Sequence, residues 1–292
     1  MVATESRSGL RTALRVVSSH PAQPAPGLNV LRPFPGPQLD YASPFLMLDH
    51  FGPEHIAPGD QGGLNPHPHR GFETVTFLFQ GAMEHHDSSG GHGLLRPGGV
   101  QWMTAGSGIV HAEYREKEFA KSGGIVEGVQ LWVNLPRKFK MEAPHYQDLR
   151  ADSIPLVRFD GGEARVVAGQ VLGATGPAQT HTPIIAARVT LQAGARVELQ
   201  APDHYNAYTY AVSGHGHSSG LNFSATQLLE YRNDGSVVVI SADEPLDLLF
   251  LAGEPINEPV VSWGPFVMNT REEIVQARND YTAGRMGRLE ER

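Results

Sequence analysis

The sequence predicts an all-β chain built as two related β-domains, with one short helix near its C-terminal end. Three observations carry that prediction. The 292 residues are 40% hydrophobic but include 33 glycines and 22 prolines, a punctuation that favours short strands and tight turns over long helices. The stretch Glu73-Thr74-Val75-Thr76-Phe77-Leu78-Phe79-Gln80-Gly81 is echoed by Asn206-Ala207-Tyr208-Thr209-Tyr210-Ala211-Val212-Ser213-Gly214, as in a diverged internal duplication, and a chain of this length can hold two cores. Thr270-Arg271-Glu272-Glu273 has the spacing of a capping box, with Thr270 as N-cap and Glu273 reaching back to it.

Taken in order, residues 1–27 read as an N-terminal arm. Arg7, Arg11 and Arg15 recur at four-residue spacing with Leu10, Leu14 and Val17 nearby, a weak amphipathic pattern compatible with a terminal strand or a frayed helix. His20 to Gly27 is proline-rich and extended. The first β-domain spans 28–135. Its opening alternation, Leu28 to Arg32, is followed by Pro33, Pro35 and Pro37, which keep that segment out of a central strand. Phe45 to Asp49 reads as a buried strand, Thr74 to Gln80 as a strand ended by Gly81, Met83 to Ser88 as a strand turned at Ser89-Gly90-Gly91, and Gly123 to Val133 as the closing strand. Residues 136–152, with Arg137, Lys138 and Lys140 between Pro136 and Pro144, read as a linker with one short turn and solvated basic side chains. The second β-domain spans 153–262, with strands at Ala164 to Gly169, Ile184 to Leu191 and Val197 to Leu199 before the echo. In the C-terminal segment, 263–292, Ile274, Ala277 and Tyr281 give the helix one apolar stripe; Gly284 can end it, and the charged tail from Arg285 reads as loose.

Chemistry concentrates in two stretches of the first domain, Asn65-Pro66-His67-Pro68-His69-Arg70-Gly71-Phe72-Glu73-Thr74 and Gly106-Ser107-Gly108-Ile109-Val110-His111-Ala112-Glu113. Side chains two apart on a strand share a face, so His67 and His69 can converge on one point, as can His111 and Glu113. Three imidazoles and a carboxylate suit a first-row transition metal that keeps positions open, and nothing in the set favours a closed structural zinc site. Period two from His69 also carries that face through Gly71 to Glu73, so Glu73 and Glu113 compete for the carboxylate position. His85 and His86 are adjacent, so at most one faces inward, and His92 follows the turn; these three read as solvent-facing or core-satisfying histidines. In the second domain the echo puts Gln200 and Pro202 where His67 and His69 stand, and Ser241 and Asp243 where His111 and Glu113 stand. His215-Gly216-His217 lies in a turn with no second pair to complete it.

Together with Val75-Thr76, Gly98 and Gln101-Trp102-Met103-Thr104-Ala105-Gly106, the two stretches resemble the pirin family of the cupin superfamily. The likeness takes in Leu48 to Pro53, Leu131 to Pro136, Gly253 to Pro259 and Gly264 to Thr270, and is carried mostly by pattern between about 155 and 250. It implies two cupin (double-stranded β-helix, jelly-roll) barrels set face to face. Glu73 fits the carboxylate slot of the general cupin pattern, but the pirin ligand set falls on His67, His69, His111 and Glu113, which leaves Glu73 behind the ligands. One Fe(II) per chain is implied, although such donors also accept Mn, Co, Ni, Cu or Zn. Members of the family have been assigned quercetin 2,3-dioxygenase activity, in which O2 opens a flavonol ring and carbon monoxide is released. A small aromatic substrate and O2 are therefore expected, with Phe72, Phe77, Phe79 and Trp102 as candidate pocket walls and Glu113 or Glu73 taking the hydroxyl proton. The alternative implied by the resemblance is a metal- and redox-dependent regulatory protein that binds a protein partner.

Composition bounds the rest. A formal net charge of -8 argues against nucleic acid or an acidic membrane as partner. No run approaches the roughly 18 apolar residues of a membrane helix, and Met1-Val2-Ala3-Thr4-Glu5 leads into no signal-peptide core. Without cysteine there is neither disulfide nor thiolate chemistry. A cytoplasmic monomer is expected.

Overall fold

The computed structural model describes residues 9–290; Arg7 and the end of the charged tail lie outside the described residues. The chain sorts into two compact units, each assembled from separated segments. One comprises Pro21–Val30, Phe45–Asp152 and the described residues from Ile256 onward; the other comprises the described residues through His20, Leu31–Pro44 and Ser153–Pro255.

The first twelve strands are β1 (Ala13–Ser18), β2 (His20–Ala25), β3 (Leu28–Phe34), β4 (Phe45–Ile56), β5 (Gly63–His69), β6 (Phe72–Gln80), β7 (Met83–Asp87), β8 (His92–Leu95), β9 (Val100–Thr104), β10 (Ile109–Arg115), β11 (Gly124–Asn134) and β12 (His145–Leu149). A short helix α1 (Lys117–Ser122) precedes β11, and α2 (Arg271–Thr282) lies near the C-terminal end. In the unit that carries the histidine stretches, a seven-stranded sheet runs β12-β9-β6-β11-β4-β3-β2 and a four-stranded sheet runs β5-β10-β7-β8.

These strand orders correct the expectation of two closed, face-to-face cupin barrels: among the described residues no sheet closes on itself. The reason lies at the edges. The outer strand β2 carries Pro21 and Pro24, and β5 carries Pro66 and Pro68; proline has no N–H to donate, so the ladder cannot be continued through those residues. Extra strands also widen the larger sheet. Residues 145–149, expected within a linker, pair with β9 as its outermost strand.

The other unit repeats the seven-plus-four plan. Its large sheet runs Ala13–Ser18, Gln227–Tyr231, Asn206–Ser213, Leu246–Gly253, Ile184–Leu191, Gly162–Ala168, Leu156–Phe159, and its small sheet Arg196–Gln200, Val237–Ala242, His215–Ser218, Leu221–Ser224. The echoing segments β6 and Asn206–Ser213 are each third in their sheets, as a duplication requires. Of the two readings of the arginine-spaced N-terminus, the strand is the one realised: β1 pairs with Gln227–Tyr231, Arg15 Nε donating to Glu230 Oε2 across the pair at 2.6 Å.

Helix α2 starts on the expected capping box: Glu273 N–H donates to Thr270 Oγ1 (3.2 Å) and Thr270 N–H to Glu273 Oε2 (2.9 Å). Its buried face is Ile274, Ala277 and Asp280, whereas Tyr281, expected in the stripe, is 41% exposed. Arg70 accounts for the rotation, since its Nη1 donates to Asp280 Oδ2 at 2.7 Å and draws the carboxylate inward. The tail beyond is anchored: Met286 is buried beside Val110, Phe266 and Met268, and Ser88 Oγ donates to its carbonyl.

Candidate metal centre

Proline places the first histidine pair. Because Pro66 and Pro68 cannot donate, β5 is an edge strand, and its one partner is β10, which sets His67 directly opposite His111 and His69 opposite Ile109. The imidazoles of His67, His69 and His111 bring their ligand nitrogens within 4.8 Å of one another, with ring centroids 4.3–4.9 Å apart.

Hydrogen bonding around the triangle selects the tautomers. A carbonyl only accepts, so His67 Nδ1, 2.8 Å from the Asn65 carbonyl, carries the proton, and so does His69 Nδ1, 3.4 Å from the Pro265 carbonyl. The third imidazole is set by a relay. Asp87 Oδ2 accepts from His85 Nε2 at 3.0 Å, which leaves His85 Nδ1 as an acceptor for Gln101 Nε2 (3.1 Å) and His111 Nδ1 (3.4 Å). His111 Nε2 is then a bare lone pair, and it is buried without a hydrogen-bond partner. All three imidazoles thus keep Nε2 free, with the opposite nitrogen tied, the arrangement of metal-ligating histidines. Burial, and then the neighbouring imidazoles, push His69 and His111 well below the ordinary histidine value and keep them neutral. A buried lone pair with no proton donor near it is a poor end state for a fold and a good one for a metal site.

Glu113 is buried one strand repeat from His111 but is not part of the triangle. Gln101 Nε2 donates to its Oε1 (3.4 Å) and Gln130 Nε2 to its Oε2 (3.2 Å), and Gln130 also accepts from Trp132 Nε1 at 3.1 Å. Glu73 lies elsewhere. The chain leaves the small sheet after His69, turns at Gly71 (φ 87°) and enters the large sheet at Phe72, so the period-two face does not carry from His69 to Glu73. On β6 it is Phe72, Thr74 and Thr76 that share the side of Trp132 and Gln130; Glu73 points the other way with Val75 and Phe77, fully buried, and accepts from Thr104 Oγ1 at 2.6 Å. A side chain at Gly71 would run into the Val267 carbonyl, so glycine is required at this sheet change.

The aromatic wall is accordingly Phe72 and Trp132. Their centroids are 4.2 Å apart, and each stands edge-on to His69, at 5.0 and 5.3 Å. Phe77, Phe79 and Trp102 occupy the opposite parity of the large sheet. Sequence reasoning missed Trp132, Gln101, Gln130 and the inward role of His85 and Asp87; for the last two the signal was their i, i+2 spacing on the strand that also pairs with His111 and Glu113. Tyr146 stacks on His85 (4.5 Å, 13°), and burial pushes its hydroxyl pKa up. In the other unit the strands at the positions of β5 and β10, Arg196–Gln200 and Val237–Ala242, carry no histidine.

The arrangement can hold a divalent metal on three imidazole nitrogens, with a carboxylate alongside and a flat aromatic wall at one edge. Comparison with known proteins extends that reading. The family description "Pirin" matches residues 27–133 and "Pirin C-terminal cupin domain" residues 186–287. A putative quercetin 2,3-dioxygenase of Pseudomonas aeruginosa is 44% identical over 248 residues, 84% of this chain and 87% of that protein. Pirin of Rattus norvegicus is 37% identical over 287 residues, 96% of this chain and 94% of that one. Among solved structures, a quercetin 2,3-dioxygenase from Acinetobacter baumannii superposes with a TM-score of 0.90 at 36% identity, covering 97% of this chain and 100% of that chain. A bacterial pirin from Escherichia coli in complex with nickel(II) shares the fold, at 20% identity and a TM-score of 0.64, over 82% of this chain and 98% of that chain.

Proposed function

The chain belongs to the pirin family, and from that premise we propose that it is a dioxygenase of the quercetin 2,3-dioxygenase type, opening a flavonol-like ring with O2. The observation that carries this reading is the triangle of imidazoles with free Nε2 atoms beside Phe72 and Trp132. His67, His69 and His111 would hold one iron(II), with Glu113 as fourth ligand. When bound, that ion supplies a Lewis-acidic centre with open positions and one-electron chemistry toward O2.

The chain's own residues supply the rest. Phe72 and Trp132 offer faces and edges to a flat aromatic ring and orient it against His69. Glu113 takes the proton of the substrate's 3-hydroxyl, and the amides of Gln101 and Gln130 hold its two oxygens in place before and after that transfer. The relay from Asp87 through His85 keeps His111 in one tautomer, and the burial of His69, His111 and Glu113 excludes bulk water. Glu73, on the far side of β6, takes no part in the proton transfer.

The test is spectrophotometric. Iron(II)-loaded protein mixed with quercetin under air is expected to bleach the flavonol absorbance with matching oxygen uptake, and to do neither under nitrogen. A metal-dependent optical shift without oxygen uptake would make the flavonol only a ligand and favour the regulatory alternative. Consumption that persists equally in His111→Ala protein would point to free iron and remove the catalytic reading.

A further inference from the structure

The β7–β8 hairpin has a second face. On β7, His85 and Asp87 point toward His111, so Glu84 and His86 point to the opposite side of the strand. There His86 is paired in register with His92 on β8, their ring centroids 4.6 Å apart. His86 Nε2 lies 3.4 Å from Glu84 Oε2, while the other oxygen, Oε1, accepts from the backbone N–H of Lys117 at the start of α1 (3.4 Å) and fixes the carboxylate's orientation. One ligand atom from each of Glu84, His86 and His92 falls within 4.8 Å of the others, and no residue is shared with the histidine triangle.

We propose that Glu84, His86 and His92 form a second metal site, on the surface, which takes a borderline divalent ion of the zinc(II) class. The donor set decides the class of ion. Two imidazoles and one carboxylate suit zinc, whereas calcium or magnesium would need oxygen donors throughout. A tetrahedral ion with bonds of about 2.1 Å sets its donors roughly 3.4 Å apart, and Glu84 and His86 already stand at that separation. Access is open: the His86 side chain is 27% exposed and His92 is exposed, so water fills the remaining coordination position and the ion exchanges freely. The site is built by the β7–β8 pairing and the contact from Lys117, and does not rest on the dioxygenase reading.

Untagged protein, with iron(II) loaded and unbound metal removed, is dialysed against micromolar zinc(II), and both metals are quantified by elemental analysis. The expected result is one zinc per chain in addition to retained iron. That zinc is lost in His92→Ala and in His86→Ala, both of which keep their iron and their melting temperature, and it is kept in His67→Ala. Because His92 is exposed on a turn-flanking strand, its removal leaves the core intact. Absence of zinc from the parent protein would overturn the proposal. So would a full equivalent retained in the His92→Ala and His86→Ala proteins, or zinc lost only in His217→Ala, which would move the ion to the His215, His217 and Asp243 group of the other unit.

Discussion

The convergence of His67, His69 and His111 is legible in the sequence because a cluster of imidazoles needs i, i+2 spacing on paired strands, and proline confines one of the strands to an edge. Periodicity fails at Glu73 for a local physical reason: alternation holds only within a strand, and the chain changes sheets at Gly71. That difference separates the two carboxylates experimentally. Glu113→Gln should weaken iron binding and abolish flavonol turnover, whereas Glu73→Gln should retain iron and cost about 1–3 kcal/mol of stability through its bond from Thr104, as read by metal titration and urea unfolding. The opposite pattern in the titrations would return the carboxylate role to Glu73. The relay carries the other prediction. Asp87→Asn removes the obligate acceptor that fixes His85, so the tautomer of His111 is no longer imposed, and iron affinity should fall by roughly 10–100-fold with the fold retained. Unchanged affinity in that variant would mean that His111 holds its tautomer without the relay.

Elements are easier to foresee than their neighbours. The capping box of α2 is a local pattern and forms as read, but which carboxylate the helix buries depends on Arg70, some 210 residues earlier in the chain, which no helical periodicity can report. Likewise Lys140, expected in a solvated run, is buried and donates to the Gly71 carbonyl (2.6 Å), Asn134 Oδ1 (2.7 Å) and the Val267 carbonyl (3.1 Å), tying the sheet change beside His69 to the C-terminal segment. Asp280 titrates accordingly. Burial pushes its pKa up, but hydrogen bonds from Arg70, Arg285 and Gln276 outweigh that and hold it below the ordinary carboxylate value. A depressed folded value means that its stabilisation is present above the unfolded carboxylate range and is lost as pH falls through the folded value. Asp280→Asn, which leaves Arg70 buried without its counter-charge, should therefore destabilise the protein by about 3 kcal/mol at neutral pH. The gap between variant and parent should begin to narrow as pH falls through the ordinary carboxylate range, about pH 4, and close only below the depressed folded value, where the parent loses the same charge. Urea midpoints of the two proteins that differ equally at neutral and acid pH would show that the ion pair is not what holds the helix.

At the scale of the molecule, the duplication is legible because β6 and Asn206–Ser213 keep the same pattern, whereas the exchange of termini is not: β1 serves the sheet built from the second half and α2 the unit built from the first, pairings of high sequence separation with no local signature. Closed barrels are what the family likeness implies, and in the histidine-bearing unit prolines sit on an edge strand of each sheet and an added strand widens the larger one. The asymmetry between the two units is the feature with a measurable consequence. One unit holds three imidazoles whose free nitrogens converge, and the strands at the same places in the other unit hold none. An ion that binds the folded triangle but not the unfolded chain stabilises by mass action, about 2.7 kcal/mol when free metal is a hundredfold above its dissociation constant. Iron(II) under nitrogen should therefore raise the unfolding transition of the unit formed by Phe45–Asp152 and leave local protection in Ser153–Pro255 unchanged. Hydrogen exchange with and without iron reads both at once, strand by strand. Protection gained on β5 and β10 in the parent and absent from His67→Ala protein is the expected result. Equal gains along Arg196–Gln200 and Val237–Ala242 would mean that the second unit binds metal after all, by donors its strands do not carry.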